Sequence, residues 1–502
     1  MVQLFNNLTA KISNLIIQGA GKRMSDKEFL EQEIRKWKNS PQRMMQIKGH
    51  LYYKGEHDIL SRKRTVIGAD GSLEEVKNLP NNRIIENQYG KLVSQKANYL
   101  LGQPFAIESE NKQYVELLKK IFNKKFMKTL KNAGKASLNG GVAWLYPYYT
   151  ENGELSFRTF PGYEVLPFWK DSEHTVLDLA VRVYLVLGYE GTQQVEIEKV
   201  EVYDLNGVHH YVLDDGRLIP DVSENEEENF PYVQVLDSQG NIFSMNWTKI
   251  PLIPLKYNET ETPLLKRVKS LQDGINVMLS DFENNMQEDT RNTILVLKNY
   301  DGTNLGEFRR NLATYGAVKV RYDGETKGGV ETLEIQVNAE NYKVILEIFK
   351  KAIIENGMGY DAKDDRLSGN PNQMNIQSMY SDIDLDANDM ETELQAAFEE
   401  ILWFVNAHFA NTGQGDFEDE KVTIIFNRDI LINESEAIAN CSASVGILSD
   451  ETIVGQHPWV DDPQLEMNRL KKQKEDEQAE FERRQEYNPF KQQDSDGGVN
   501  EE

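Results

Sequence analysis

The sequence predicts an α+β chain, and three observations carry that prediction. Long stretches at both ends place apolar residues three and four apart, the repeat of a helix with one buried face. Between Gly141 and Asn258 the repeat changes to short segments rich in Val, Tyr and Phe, separated by turns. Helices and strands are therefore segregated along the chain, not alternating. With 502 residues, 39% of them hydrophobic and 27% charged, the chain can bury more than one core while keeping exposed helices in water.

Residues 1–24 carry Leu4, Phe5, Leu8, Ile12, Leu15 and Ile16 on one helical face, which predicts an amphipathic segment and not a secretory signal. Ser25 and Asp26 cap a helix through Phe29, Ile34 and Trp37, and a second helix runs from Arg43 to Tyr53. The basic stretch "SRKRTVIGADGS" follows as an exposed segment. "RIIENQYGKLVSQKANYLLG" reads as one helix, with Ile85, Tyr89, Leu92, Val93, Lys96 and Leu100 in step, stopped by Gly102 and Pro104. Another single helix is expected from Asn111 to Leu138.

Strands are expected at "VAWLYPYY", "LSFRTF", "YEVLPFW", "AVRVYLVL", "VEIEKVEVYD", "HHYVLDD" and "IPLIPLKYN". The acidic "SENEEENF" is a solvated loop. Thr262 and Pro263 open a helix whose stripe runs Leu264, Val268, Leu271, Ile275, Met278, Phe282 and Met286. A small strand–helix–strand–strand module follows, then a helix carrying Tyr342, Ile345, Phe349 and Ile353. Next comes "GYDAKDDRLSGNPNQM", a charged loop with Gly369 and Pro371, and then a long helix through Ile383, Met390, Leu394, Phe398, Ile401 and Val405. The two helices beside the module carry it on a stalk. A strand "KVTIIFNR", a helical pair and a highly charged helix complete the order, and the last dozen residues read as disordered.

Composition excludes several function classes. The net charge of −25 argues against static, non-specific binding to DNA through lysine and arginine, but not against contact with DNA that moves. No apolar run reaches the length of about 18 residues that a membrane span needs. Cys441 stands alone, so neither an intrachain disulfide nor a paired-cysteine zinc site is expected. The seven histidines form no HExxH pattern, and His209 and His210 point to opposite faces of a strand. "GAGKR" has Ile16 where a phosphate loop needs its first glycine, and Arg23 where it needs Ser or Thr. Asp382, Asp384, Asp386 and Glu393 have calcium-loop spacing, but Ala387 replaces the turn glycine, so we read an acidic helix face. No catalytic residue, metal site or cofactor is expected, and the chain is not read as an enzyme.

The order of elements resembles the portal (head-to-tail connector) proteins of tailed bacteriophages, of the siphovirus type found with Gram-positive hosts. The resemblance rests on "LYYKGEHDILSRKR", "KLVSQKANYLLGQP", "GGVAWLYPYYTENGELSFRTFPGYEVLPFW", "VLKNYDGTNLGEF", "NTGQGDF" and "HPWVDDPQLEMNRLKKQ". It implies a portal fold: an N-terminal segment (1–24), a wing (25–258), a first stem helix (259–292), a clip (293–337), a second stem helix (338–358) and a tunnel loop (359–373). The long helix (374–411), a strand returning to the wing (412–432), a helical crown (433–487) and a disordered tail (488–502) follow. It also implies a dodecameric ring at one capsid vertex of the virion, assembled in the host cytoplasm. Its partners would be other copies of itself, double-stranded DNA in transit, the terminase large subunit, a head-tail adaptor, scaffold and major capsid protein, with no membrane and no cofactor. On this reading Lys363 and Arg366 touch DNA in the channel while Asp364 and Asp365 keep it from sticking. Arg309 and Arg310 face a partner on the clip. The alternatives are another phage head or adaptor component, and a metal-dependent DNA-processing enzyme resting on the Asp382 group.

Overall fold

The structure is a computed structural model. It describes residues 25–67, 70–76, 79–221, 230–236, 242–289, 294–298, 301, 304–315, 319–321, 329–333, 339–362, 373–428, 433–460 and 463–486. The amphipathic segment 1–24, the acidic loop up to residue 229 and the tail from residue 487 lie outside these ranges. The chain divides into a larger unit, residues 1–360 and 382–429, and a smaller one, residues 361–381 and 430–502.

The larger unit begins with helices α1 (Asp26–Lys38) and α2 (Pro41–Lys54). Each is capped by a serine, and Ser25 with Glu28 closes a reciprocal capping box. The basic segment forms a hairpin, β1 (Thr65–Ile67) against β2 (Leu73–Glu75). Helix α3 spans Gln88–Leu101, five residues shorter at its start than the sequence predicts. Strand β3 (Ala106–Glu108) follows. The expected single helix from Asn111 is two, α4 (Lys112–Ile121) and α5 (Lys124–Gly140). The break occurs because Asn123 caps α5, its side chain accepting from the N–H groups of Lys125 and Phe126, while Phe122 turns into the core.

Strands β4 (Val142–Tyr149), β5 (Leu155–Pro161) and β13 (Ile253–Lys256) form an antiparallel sheet ordered β13-β4-β5. A second sheet is a meander of β6 (Val165–Trp169), β7 (Leu177–Glu190), β8 (Gln193–Asp204), β9 (Gly207–Asp214) and β10 (Arg217–Pro220). Strands β11 (Val233–Leu236) and β12 (Ile242–Met245) pair separately. Strand β4 is buried on both faces. Its Leu145 joins the main helical core, while Val142 and Trp144 join the core shared with Phe160, Val165 and Tyr203, as a two-residue repeat dictates. Leu30 and Ile34 of α1 cover the other face of the meander.

Helix α6 (Leu265–Asp289) starts two residues after the expected position. Strand β14 (Ile294–Lys298), helix α7 (Leu305–Tyr315) and strand β15 (Gly329–Leu333) make the small module, with β14 and β15 antiparallel. Of the expected middle strand, "AVKVRYDG", only residues 319–321 are described. Helix α8 (Ala339–Asn356) then returns along α6. Gly274 permits the close approach, because a Cβ there would stand 2.7 Å from the Phe349 ring. Helix α9 (Gln373–Asn411) has 39 residues, roughly 58 Å of helix. Its Leu394, Phe398, Ile401 and Val405 are fully buried in the main core, and β16 (Thr423–Ile425) pairs with β3 beside them.

The apolar stripe expected on α6 is only half of what that helix buries. Leu264, Val268 and Ile275 are buried, but so are Gln272, Asn276, Ser280 and Asn284, four apart. These polar side chains hold the non-helical segment before α3. Asn284 Oδ1 accepts from Asn82 N at 2.8 Å, Ser280 Oγ from Ile84 N at 2.9 Å and Asn276 Oδ1 from Glu86 N at 3.1 Å. Gln272 accepts from Tyr89 N at 2.9 Å and donates to Glu86 O at 2.7 Å. Four helical residues rise about 6 Å, and two residues of extended chain about 6.6 Å, so the two repeats stay in step. That competing set of partners is why residues 82–87 are not the first turns of α3.

A second polar cluster joins α2 to α6. Asp58 accepts from Lys48 at 2.7 Å and from Lys269 at 2.8 Å, and Tyr52 donates to Asp273 at 2.5 Å. Burial alone would raise the Asp58 carboxyl, but the two lysines outweigh it and hold the group at about 2. A depressed acid stabilises the fold above its unfolded value and loses that contribution as pH falls toward the folded value. Asp58→Asn should therefore lower the unfolding midpoint at pH 7 and be indistinguishable from wild type near pH 2, provided both remain folded there; urea titrations at the two pH values measure this.

The smaller unit contains α10 (Glu434–Ala443), α11 (Asp450–Gly455) and α12 (Pro463–Glu486). Asn433 and Ser449 cap the first two, accepting from Glu436 N and Thr452 N. The first ends at Ala443, with Ser444 as its C-cap.

Candidate functional site

The loop that the sequence singles out leaves α8 through a tightly held turn. Gly357 N donates to Ile353 O at 2.9 Å, Met358 N to Glu355 O at 3.1 Å and Gly359 N to Ile354 O at 2.9 Å, which uses up the last carbonyls of the helix. Met358 sits in the left-handed region with φ 51. Leu92 of α3 packs so closely here that a Cβ on Gly357 or Gly359 would lie 2.3 or 2.5 Å from its methyl groups. Only glycine fits on both sides of Met358.

Helix α3 grips the same turn with two side chains. Gln95 donates to Tyr360 O at 2.8 Å and accepts from Tyr360 N at 3.3 Å. Lys96 donates to Met358 O at 2.9 Å and to Asp386 of α9 at 2.6 Å. Asp386 also accepts from Arg267 of α6 at 2.9 Å and from the Tyr257 hydroxyl at 2.7 Å. The Lys96 and Asp386 side chains are 3% and 5% exposed, so this is a buried ionic cluster. Burial pushes the Lys96 ammonium down to about 8, against the pull of Asp386 in the other direction. Burial raises the Tyr257 hydroxyl far enough that it stays a donor throughout the physiological range.

The cluster thus ties α3, α6, α9 and the turn after α8 to one carboxylate. An ion pair of this kind specifies geometry more than it adds stability, because each charge is costly to bury and only this arrangement satisfies all of them. It fixes the turn that ends at Tyr360.

Asp384 faces a different set. It accepts from the Tyr99 hydroxyl at 2.7 Å and from Arg428, which also donates to Glu391 and Asn388 at 2.6 Å. The acidic triplet is therefore on a helix, with Asp384 and Asp386 each neutralised by basic side chains. No group of three or more His, Cys, Asp or Glu among the described residues could hold a metal ion. The far end of the loop is held within the smaller unit, where Gln373 N donates to Glu436 at 3.0 Å and Gln373 Oε1 accepts from Asn433 N at 3.2 Å.

Lys363, Asp364, Asp365 and Arg366 lie outside the described residues. Arg309 and Arg310 are neighbours on α7, and Arg310 is exposed. The cluster residues are misjudged from the sequence. Lys96 counts there as one position of an apolar stripe, and Asp386 as part of a solvated acidic face. The available signal is a lysine in register with Leu92, Val93 and Leu100, where a long cation needs a buried partner. No helix among the described residues is long and apolar enough to cross a membrane.

Comparison with known proteins matches residues 31–480 to the family described as phage portal protein, SPP1 Gp6-like. The chain is 30% identical to the portal protein of Bacillus phage SPP1 over 430 residues, 85% of this chain and 83% of that one. It is 26% identical to the portal protein of Clostridium phage phiCD119 over 433 residues, covering 84% and 90% of the two chains. The mixed helical and strand architecture is that of an α+β protein, and the match spans nearly all of it. The chain belongs to the phage portal protein family, whose members are structural components of the virion and not enzymes.

Proposed function

We propose that the chain assembles into a closed dodecameric ring at one capsid vertex and forms the channel through which the genome is packaged and ejected. The observation that carries this reading is the pair α6 and α8 with a small module between them, followed by a charged loop whose departure is pinned by a buried ionic cluster. A loop that must meet moving DNA at a set place needs such an anchor. In this reading residues 25–258 and the strand after residue 412 form the wing, residues 259–292 and 338–358 the stem, residues 293–337 the clip and residues 433–487 the crown. The loop, residues 359–373, faces the channel.

Ring closure needs two different faces per subunit. Helix α8 offers one, because Val344, Ile345 and Ile348 are 46%, 41% and 57% exposed, and Val277 and Met286 of α6 are also open. Neighbouring copies would cover them. The terminase large subunit and the head-tail adaptor would meet the clip near Arg309 and Arg310, and scaffold and major capsid protein would meet the wing.

Around a ring, Lys363 and Arg366 repeat once per subunit, so weak phosphate contacts multiply while Asp364 and Asp365 limit their strength. Replacing both basic residues with serine should leave stability within about 0.5 kcal/mol of wild type. Ring size in sedimentation should be unchanged, and DNA packaging or genome retention should fall. Normal filling and retention in correctly assembled mutant rings would remove these two residues from the channel.

A further inference from the structure

We infer that the exposed face of α5 is a second surface for DNA, separate from the loop, which binds the phosphate backbone without reading sequence. The charge of the chain is unevenly distributed. Between Lys112 and Lys135 there are eight lysines and one acidic residue, Glu116, a net of +7 in a chain of −25. Glu116 is paired with Lys119 at 2.9 Å. Helix α5 turns Phe126, Leu130, Ala133 and Ser137 into the core. Lys124, Lys128, Lys131 and Lys135 then fall at intervals of four, three and four residues along another face, over about 16 Å of helix. Lys124, Lys125 and Lys128 are exposed, and Lys131 and Lys135 are partly so. No ion pair joins these five lysines to a carboxylate among the described residues, whereas many other basic side chains of the molecule are neutralised in that way.

The edge strand of the adjoining sheet adds one exposed cation, on the face opposite to Phe157 and α5. Arg158 of β5 is exposed and its guanidinium lies 4.0 Å from the centre of the Tyr148 ring, which holds the cation in place on an aromatic face.

The composition of this surface favours phosphate over protein. A protein interface needs apolar anchors at its centre and is depleted of lysine there. Among the described residues, no exposed large hydrophobic side chain lies between Leu73 and Val176. A row of lysines spaced about 5 Å apart suits instead a nucleic-acid strand, where each neutralised phosphate releases a counterion. Attraction is local, because the acidic remainder of the chain opposes it beyond a Debye length of about 8–10 Å.

The test is binding of the purified, assembled protein to a random-sequence duplex of about 30 base pairs, followed by anisotropy between about 50 and 200 mM salt. K124Q/K128Q/K131Q should lower affinity at least about tenfold at the low-salt end and reduce the log–log salt slope by about 3, close to 0.9 for each phosphate that is no longer neutralised. Its melting curve and ring size should match wild type. An unchanged slope and affinity would overturn the assignment, since DNA would then be held elsewhere. So would a wild-type protein that binds polyglutamate but not the duplex, an outcome that points to an acidic protein partner. The loop keeps its sequence in this variant, so either result leaves the channel reading where it stands.

Discussion

Asp386→Ala lowers the unfolding free energy by about 3–5 kcal/mol, the cost of removing one partner from a buried ion pair. The loss is large because the ammonium of Lys96 stays 3% exposed with only Met358 O to accept from it, while Arg267 and Tyr257 lose the same acceptor. Arg267 is 35% exposed and can turn to water, so most of the penalty falls on Lys96 and the Tyr257 hydroxyl. The double variant Lys96→Met with Asp386→Leu should recover much of the loss, since an apolar pair of similar volume replaces the ions. Denaturant unfolding of the wild type and both variants measures this. If the alanine variant and wild type share one midpoint, the cluster does not hold the turn and cannot anchor the loop. A recovered double variant with altered packaging would separate the role of the cluster in aiming the loop from its role in stability.

Asn276→Leu should cost about 3–5 kcal/mol, through unmade hydrogen bonds and not through missing volume. Asn276 accepts from Glu86 N at 3.1 Å and from Gln272 Nε2 at 3.1 Å, and donates to His57 Nδ1 at 2.8 Å. His57 is buried and directs Nε2 to Tyr52 O at 3.0 Å, so the imidazole is neutral with its proton on Nε2, and burial lowers its pKa further. Leucine fills the space and strands Glu86 N and His57 Nδ1, while Gln272 Nε2 keeps only its bond to Glu86 O. Ser280→Ala, which removes one acceptor from Ile84 N, should cost only about 1–2 kcal/mol. If leucine is tolerated within about 0.5 kcal/mol, the ladder is incidental to stability.

These two sites also show where sequence reading succeeds and where it stops. Period and propensity locate α6, α8 and α9 because apolar residues buried in each keep helical register: Val268 and Ile275, Ile353, Leu394 and Phe398. The strands of the two sheets are legible because β-branched and aromatic residues cluster there between clear turns. The segment from Asn82 to Asn87 is not, because its local pattern favours helix and the competing partners sit almost 200 residues away on α6. Likewise Lys96 and Asp386 are 290 positions apart, and nothing local distinguishes that aspartate from Asp384 two residues before it. Polar groups that are buried in long-range pairs leave no period in the sequence; their signature is a polar residue standing on an apolar stripe.

The row of Gln272, Asn276, Ser280 and Asn284 has a mechanical consequence. Its bonds lie across the axis of α6, side by side, and join that helix to a strap of chain running along it. A pull parallel to the axis loads all of them together in shear, so none can give way before the others. A pull from Asn82 outward would instead open them one at a time, at about 1 kcal/mol each. The helix is therefore stiffened against push and pull along its length, while the strap is easier to peel from its Asn82 end.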